Sequence, residues 1–103
     1  MRENKFQANL IKRIKKDLPG AMVLKNDPNY IQGIPDLLVL YNDRWAALEC
    51  KRSQNAERQP NQEYYIETLG HMSYASFVYP ENEEEVLYGL QQALTAGRPP
   101  CLS

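Results

Sequence analysis

Two apolar runs, DLLVLY at 36–41 and WAALECK at 45–51, are separated only by Asn-Asp-Arg, and this spacing constrains the chain more than any other feature. Short runs rich in Leu, Val, Tyr and Trp around an Asn-Asp turn read as an antiparallel hairpin. Both runs are apolar on both faces, so they belong at the centre of a sheet covered on each side. If the turn centres between Asn42 and Asp43, residues whose numbers sum to 85 face each other, and Asp36 meets Glu49. Directly opposed residues have Cβ atoms ~4.5–5.5 Å apart and project from one face. Lys51 lies two residues beyond Glu49 and shares its face. A turn one residue longer moves Asp36 opposite Cys50, diagonal to Glu49, and requires a bulge.

Two carboxylates and an ammonium therefore meet at one corner of the sheet. Like charges opposed across a ladder are destabilising, and a buried pair of carboxylates more so. A divalent cation turns that liability into a site. Hard cations such as Mg²⁺ prefer oxygen ligands, which Asp36, Glu49 and the backbone carbonyl of Cys50 can supply. Such an ion polarises a phosphate, lowers the pKa of a bound water and steadies a leaving oxygen. Lys51 is then placed to orient or deprotonate that water, or to neutralise charge growing on phosphorus.

The rest of the chain supplies the cover. Phe6, Leu10, Ile11, Ile14 and Leu18 recur at helical spacing, with Lys12, Arg13, Lys15 and Lys16 between them, and Pro19-Gly20 ends that helix. Residues 21–25 (AMVLK) read as a short strand and NDPNYIQG as a loop. The polar stretch RSQNAERQP breaks at Pro60; Asn61 is expected to cap a helix, NQEYYIETL, that Gly70 terminates. A fourth strand, ASFVY at 75–79, precedes a last helix capped by Asn82 and running to about residue 96, with Glu83, Glu84 and Glu85 in its first turn, where the helix dipole favours them. The order is αβββαβα in a single domain, residues 1–96, followed by a tail, GRPPCLS at 97–103, expected to be mobile.

The formal net charge of -1 hides a gradient. Seven basic residues lie in 1–25 (Arg2, Lys5, Lys12, Arg13, Lys15, Lys16 and Lys25) against Glu3 and Asp17, whereas six Glu face Arg98 from residue 61 onward. A local phosphate-binding surface is compatible with a nearly neutral whole. No apolar run approaches the ~20 residues needed to cross a bilayer, and MRENKFQANL lacks the apolar core of a secretion signal. A cytoplasmic life, in the host cytoplasm if the protein is viral, is the expectation. Cys50 in a strand and Cys101 in a Pro-rich tail make a poor disulfide pair, and neither has zinc-site spacing.

Pro35-Asp36 followed by Glu49-Cys50-Lys51 resembles the PD-(D/E)xK motif of the restriction-endonuclease-like nucleases, whose αβββαβ core of a central mixed sheet of about four strands flanked by helices has the same order. GIPD, ECK, a polar loop and then Pro60-Asn61-Gln62 opening a helix are similar to the VRR-NUC branch, which has small stand-alone members in phages. The resemblance spans roughly residues 3–94. It implies metal ligation by Asp36 and Glu49, a catalytic role for Lys51 and an active-site role for Gln62, with Mg²⁺ or Mn²⁺ as cofactor. Glu3 is the candidate for the acid that the family often carries on its first helix. Members are metal-dependent DNA nucleases, and the small stand-alone ones, like related four-way-junction resolvases, are commonly homodimers that cut branched DNA.

Arg52 and Arg58, in the polar loop beside the proposed site, are candidates for holding a DNA backbone, as are Lys12, Lys16 and Lys25. His71 has no partner at metal or triad spacing and reads as structural. Tyr64, Tyr65, Tyr74 and Tyr79 read as core or dimer interface and Trp45 as packing. Two readings compete with a nuclease: a non-catalytic nucleic-acid-binding module that keeps the fold, and an α/β interaction protein whose hairpin charges are accidental. A binding role alone does not call for two carboxylates beside DNA phosphates.

Overall fold

A computed structural model of the chain describes residues 3–96, and the tail at 97–103 lies outside the described residues. Helix α1 (Glu3–Asp17) leads into strand β1 (Met22–Lys25), the hairpin of β2 (Leu37–Tyr41) and β3 (Arg44–Cys50), helix α2 (Gln62–Met72), strand β4 (Tyr74–Val78), a 3₁₀ turn (Pro80–Asn82) and helix α3 (Glu83–Thr95). The strands form one sheet in the order β1-β2-β3-β4. The first two pairings are antiparallel and β3–β4 is parallel, so the sheet is mixed.

The hairpin takes the shorter register. Leu37 pairs with Leu48 and Tyr41 with Arg44, leaving Asn42-Asp43 as a two-residue turn. Asn42 sits at φ 57, a left-handed conformation that Asn tolerates better than most residues with a side chain. Arg44, expected in the turn, opens β3 instead.

Alternation along the strands gives the sheet two different faces. Leu37 and Val39 of β2, Ala46, Leu48 and Cys50 of β3 and Val78 of β4 pack with Phe6, Leu10, Ile14 and Leu18 of the first helical segment and Val86, Leu87, Leu90 and Leu94 of α3. Each Leu, Ile, Val or Phe among them contributes about 1.5–3 kcal/mol on full burial. The four-residue spacing from Phe6 to Leu18 is what lays α1 flat on this face. Gly20, at φ 93, then takes the left-handed turn that redirects the chain into β1.

The opposite face carries Ala47 and Glu49 of β3 and Ala75 and Phe77 of β4, by the pairings Ala47↔Ala75 and Glu49↔Phe77. Helix α2 covers part of it, and none of its residues is fully buried. Parallel strands need a crossover, and the loop from Lys51 together with α2 supplies it, the chain running from Gln62 beside Glu49 to Ser73 beside Trp45.

Three expectations at the helix ends are corrected. Helix α2 continues through Gly70 and His71 to Met72. A Cβ at Gly70 would lie 4.0 Å from the Ala75 side chain, so the glycine sits in ordinary contact with β4 and no turn occurs there. The helix ends at Ser73, whose N–H donates to the Leu69 carbonyl and whose hydroxyl donates to the Trp45 carbonyl. Asn61 and Asn82 occupy the N-terminal cap positions of α2 and α3, but neither makes a side-chain cap bond. Asn82 instead accepts the Tyr79 N–H and donates to the Phe77 carbonyl, closing the 3₁₀ turn that precedes α3.

The charge gradient folds back on itself. Arg13 of α1 donates both guanidinium nitrogens to Glu84 of α3, which holds the Glu84 carboxyl below its usual range by hydrogen bonding. Tyr74 donates its hydroxyl to the Val86 carbonyl at 3.2 Å, and burial raises its pKa. Among the described residues no helix is long and apolar enough to cross a membrane.

The hairpin turn is directly testable. Asn42→Val is expected to cost about 1–2 kcal/mol, because a β-branched residue resists positive φ. Asn42→Gly should be close to neutral, and urea denaturation of both variants distinguishes the two outcomes.

Candidate active site

Where the β2–β3 ladder stops, side chains take over its hydrogen bonding. Beyond the Leu37↔Leu48 pair, the Asp36 N–H donates to Glu49 Oε1 at 3.2 Å and the Cys50 N–H donates to Asp36 Oδ2 at 2.9 Å. Each carboxylate thus accepts a backbone N–H from across the hairpin. The Asp36 carbonyl accepts the N–H of Asn26 at 2.8 Å, and the Pro35 carbonyl accepts Asn26 Nδ2 at 2.8 Å.

Glu49 is 4% exposed and Lys51 6% exposed, and among the described residues these are the charged side chains that the fold buries. Buried charges are costly unless paired and hydrogen-bonded, so such a concentration marks a functional-site candidate. Lys51 Nζ donates to the Glu57 carbonyl at 3.0 Å, which fixes the ammonium from the loop that follows β3.

Gln62, the first residue of α2, donates Nε2 to Glu49 Oε2 at 2.9 Å. Its Oε1 accepts the Gln59 N–H at 2.8 Å, which sets the orientation of the amide and makes the nitrogen the end that meets the carboxylate. The start of α2 is in turn docked on the loop before β2. A Cβ at Gly33 would lie 2.6 Å from Asn61 Cβ and 3.0 Å from the Pro60 carbonyl oxygen, and Gly33 itself sits at φ 90. Asn61 meets it in the left-handed region at φ 73. Only a residue without a side chain lets these two segments touch, and their contact brings Gln62 to Glu49.

Asp36, Glu49, Lys51 and Gln62 line one open cleft of about 390 Å³, together with Arg52, Glu57 and Gln59. Its acidic donors are oxygen alone. Cys50 turns its thiol into the core on the other face, so only its main chain is on the side of the acids. Among the described residues, no group of three or more His, Cys, Asp or Glu side chains gathers at metal-binding distance. Two carboxylates with the balance left to carbonyl, water and substrate fit Mg²⁺, which is commonly held by one or two carboxylates plus phosphate oxygens. The Glu3 side chain lies outside the described residues.

Of the basic candidates, the cleft receives Arg52. Arg58 is bonded to Glu63 at 3.0 Å and its guanidinium lies 3.9 Å over the Phe77 ring. Lys12 and Lys16 are exposed on α1, which packs on the face of the sheet opposite Glu49, so the fold does not bring them to the cleft. Lys25 is exposed at the end of β1, paired with Leu37. Sequence reasoning missed Asn26, Gly33, Glu57 and Gln59. Gly33 alone left a trace, as a glycine just before Pro35-Asp36.

The chain is similar in fold to two solved structures. One, described as a VRR_NUC domain, is 21% identical with a TM-score of 0.67, covering 84% of this chain and 94% of its own. The other, described as a VRR_NUC domain protein, is 19% identical with a TM-score of 0.67, covering 94% of this chain and 91% of its own. No family model matches the sequence, and no curated protein matches it. The mixed four-stranded sheet flanked by helices is the architecture these structures share with it.

Gly33→Ala tests how the cleft is assembled. The side chain meets backbone at both Asn61 and Pro60 and adopts a disfavoured φ, so a loss of about 2–4 kcal/mol is expected in chemical denaturation, combining overpacking with left-handed strain.

Proposed function

We propose that this chain is a metal-dependent DNA endonuclease that hydrolyses phosphodiester bonds with Mg²⁺ or Mn²⁺, acting as a homodimer on branched DNA such as four-way junctions. The observation that carries the reading is the buried Glu49 carboxylate, bonded to Asp36 and Gln62 on the floor of a polar cleft that Lys51 also lines. The fold likeness to VRR_NUC domains supports it.

A divalent ion held by Asp36, Glu49 and the Cys50 carbonyl would supply Lewis-acid polarisation of the scissile phosphate and a more acidic water. Lys51, anchored through the Glu57 carbonyl, holds the attacking water or meets the charge that grows on the phosphoryl oxygens. Gln62, its amide locked by Gln59, keeps Glu49 in one orientation. Water adds to phosphorus, the ester P–O bond breaks, and the released oxygen departs with a proton. Arg52 at the cleft holds the DNA backbone, whereas Arg58 has one guanidinium nitrogen engaged by Glu63. One proposed active site per chain cuts two strands in concert only when a second copy is present.

The test is cleavage of plasmid and synthetic four-way junctions by the pure protein with Mg²⁺, Mn²⁺ or EDTA. Asp36→Ala and Glu49→Ala should each lose more activity than the roughly 10–100-fold that attends changes to groups behind a metal ligand. EDTA should abolish cutting by the parent protein. Metal-independent binding without cutting in any metal assigns the chain to the binding-module class instead.

Solution mass carries a separate prediction. Sedimentation should give about twice the 11.9 kDa chain mass, and a mass equal to one chain removes the dimer from the proposal.

A further inference from the structure

Asn26 follows the last residue of β1, carries no charge, and makes hydrogen bonds to two consecutive carbonyls. Its N–H continues the β1–β2 register by one residue, from Lys25↔Leu37 to the Asp36 carbonyl at 2.8 Å. Its Nδ2 reaches one residue further, to the Pro35 carbonyl at 2.8 Å. Pro35 is buried and has no N–H, so it contributes to the ladder through its carbonyl only. The β3 side holds Asp36 through its N–H and carboxylate. Asp36 is thereby gripped from both neighbouring strands. On the β1 side, the Pro35–Asp36 peptide itself is held by the Asn26 amide.

We infer that Asn26 is a positioning residue for Asp36, fixing the plane of the Pro35–Asp36 peptide and hence the direction in which the Asp36 carboxylate leaves the backbone. Because the Asn26 N–H also holds the Asp36 carbonyl, Asn26 restrains both peptide planes that meet at Asp36, which together set where its Cα–Cβ bond points, and a ligand or catalytic carboxylate tolerates only about 0.5 Å of misplacement. A structural role alone would make Asn26 a stabiliser of the loop after β1, with no effect on the acid beyond it. The inference rests on the reading of Asp36 as a metal ligand for its functional consequence, but the geometry stands without it.

Two measurements on the whole chain decide the matter. The first is Mn²⁺ affinity by calorimetry for the parent protein, Asn26→Ala, Asn26→Asp and Asn26→Gln. The second is hydrogen exchange in the metal-free protein at the Cys50 amide, which donates to Asp36, taken relative to the Leu48 amide within the ladder. Asn26→Ala and the isosteric Asn26→Asp, which lacks the donor, should bind Mn²⁺ on the order of 10-fold more weakly. Their Cys50 amide should exchange faster relative to Leu48, while Asn26→Gln, which keeps the donor, recovers part of both. Unchanged Mn²⁺ affinity and an unchanged exchange ratio in the donor-free variants overturn the inference. If Asn26→Ala fails to fold, the Asp and Gln variants carry the same comparison. If the parent protein binds no Mn²⁺, the metal-site reading falls by itself, and the exchange ratio alone decides whether Asn26 positions Asp36.

Discussion

The register of the β2–β3 hairpin is the constraint on which the rest of the geometry depends. Side chains alternate between faces with a period of two, so a slip of one residue would exchange the two surfaces of the sheet. Glu49 would then be pushed against Leu10 and Leu90, and Leu48 and Cys50 would enter the cleft. Desolvating an unpaired ion in that core costs several kcal/mol, to which the loss of apolar burial adds. The apolar core on one side and the acidic cleft on the other therefore enforce the same alignment. Asn42 makes it reachable by supplying a left-handed residue at the two-residue turn.

Much of this was legible in the amino-acid order because it depends on local periodicity. The spacing of Phe6, Leu10, Ile14 and Leu18 identifies the face of α1, and the turn length identifies the partner of Asp36. Gln62 was reached by resemblance, and the structure places its amide on Glu49. Contacts between distant segments left no such pattern. Nothing in the sequence says that Gly33 touches Asn61, or that Asn26 bonds the Pro35 carbonyl. Gly70 was misread for a related reason: helix propensity penalises glycine by only about 1 kcal/mol, and α2 runs through it to Met72. The basic face of α1 was legible as a face, but the side of the sheet it lies on is a property of the assembled fold.

The two faces divide labour in the way their composition suggests. One is sealed by α1 and α3, which also neutralise each other through Arg13 and Glu84, neither of which lines the cleft. The other is only partly covered by α2, which keeps its cover at the end where Gln62 meets Glu49. Met22 and Leu24 of β1, on the register positions of Leu40 and Leu38, remain 57% and 42% exposed there. The incomplete roof leaves an open cleft, with Asp36 and the buried Glu49 in its lining.

The parallel pairing of β3 with β4 obliges the chain to travel back along the strands; α2 makes that return, from Gln62 beside Glu49 to Ser73 beside Trp45, and the stretch between Cys50 and Gln62 that leads into it supplies the Lys51 anchor, Arg52 and the Gln59 contact. Lengthening or recomposing this stretch near Ser53–Ala56 would leave every strand pairing and every core residue untouched. Recognition can thus drift in evolution along a tether whose two ends are fixed by chemistry, without renegotiating the stability of the body that carries it.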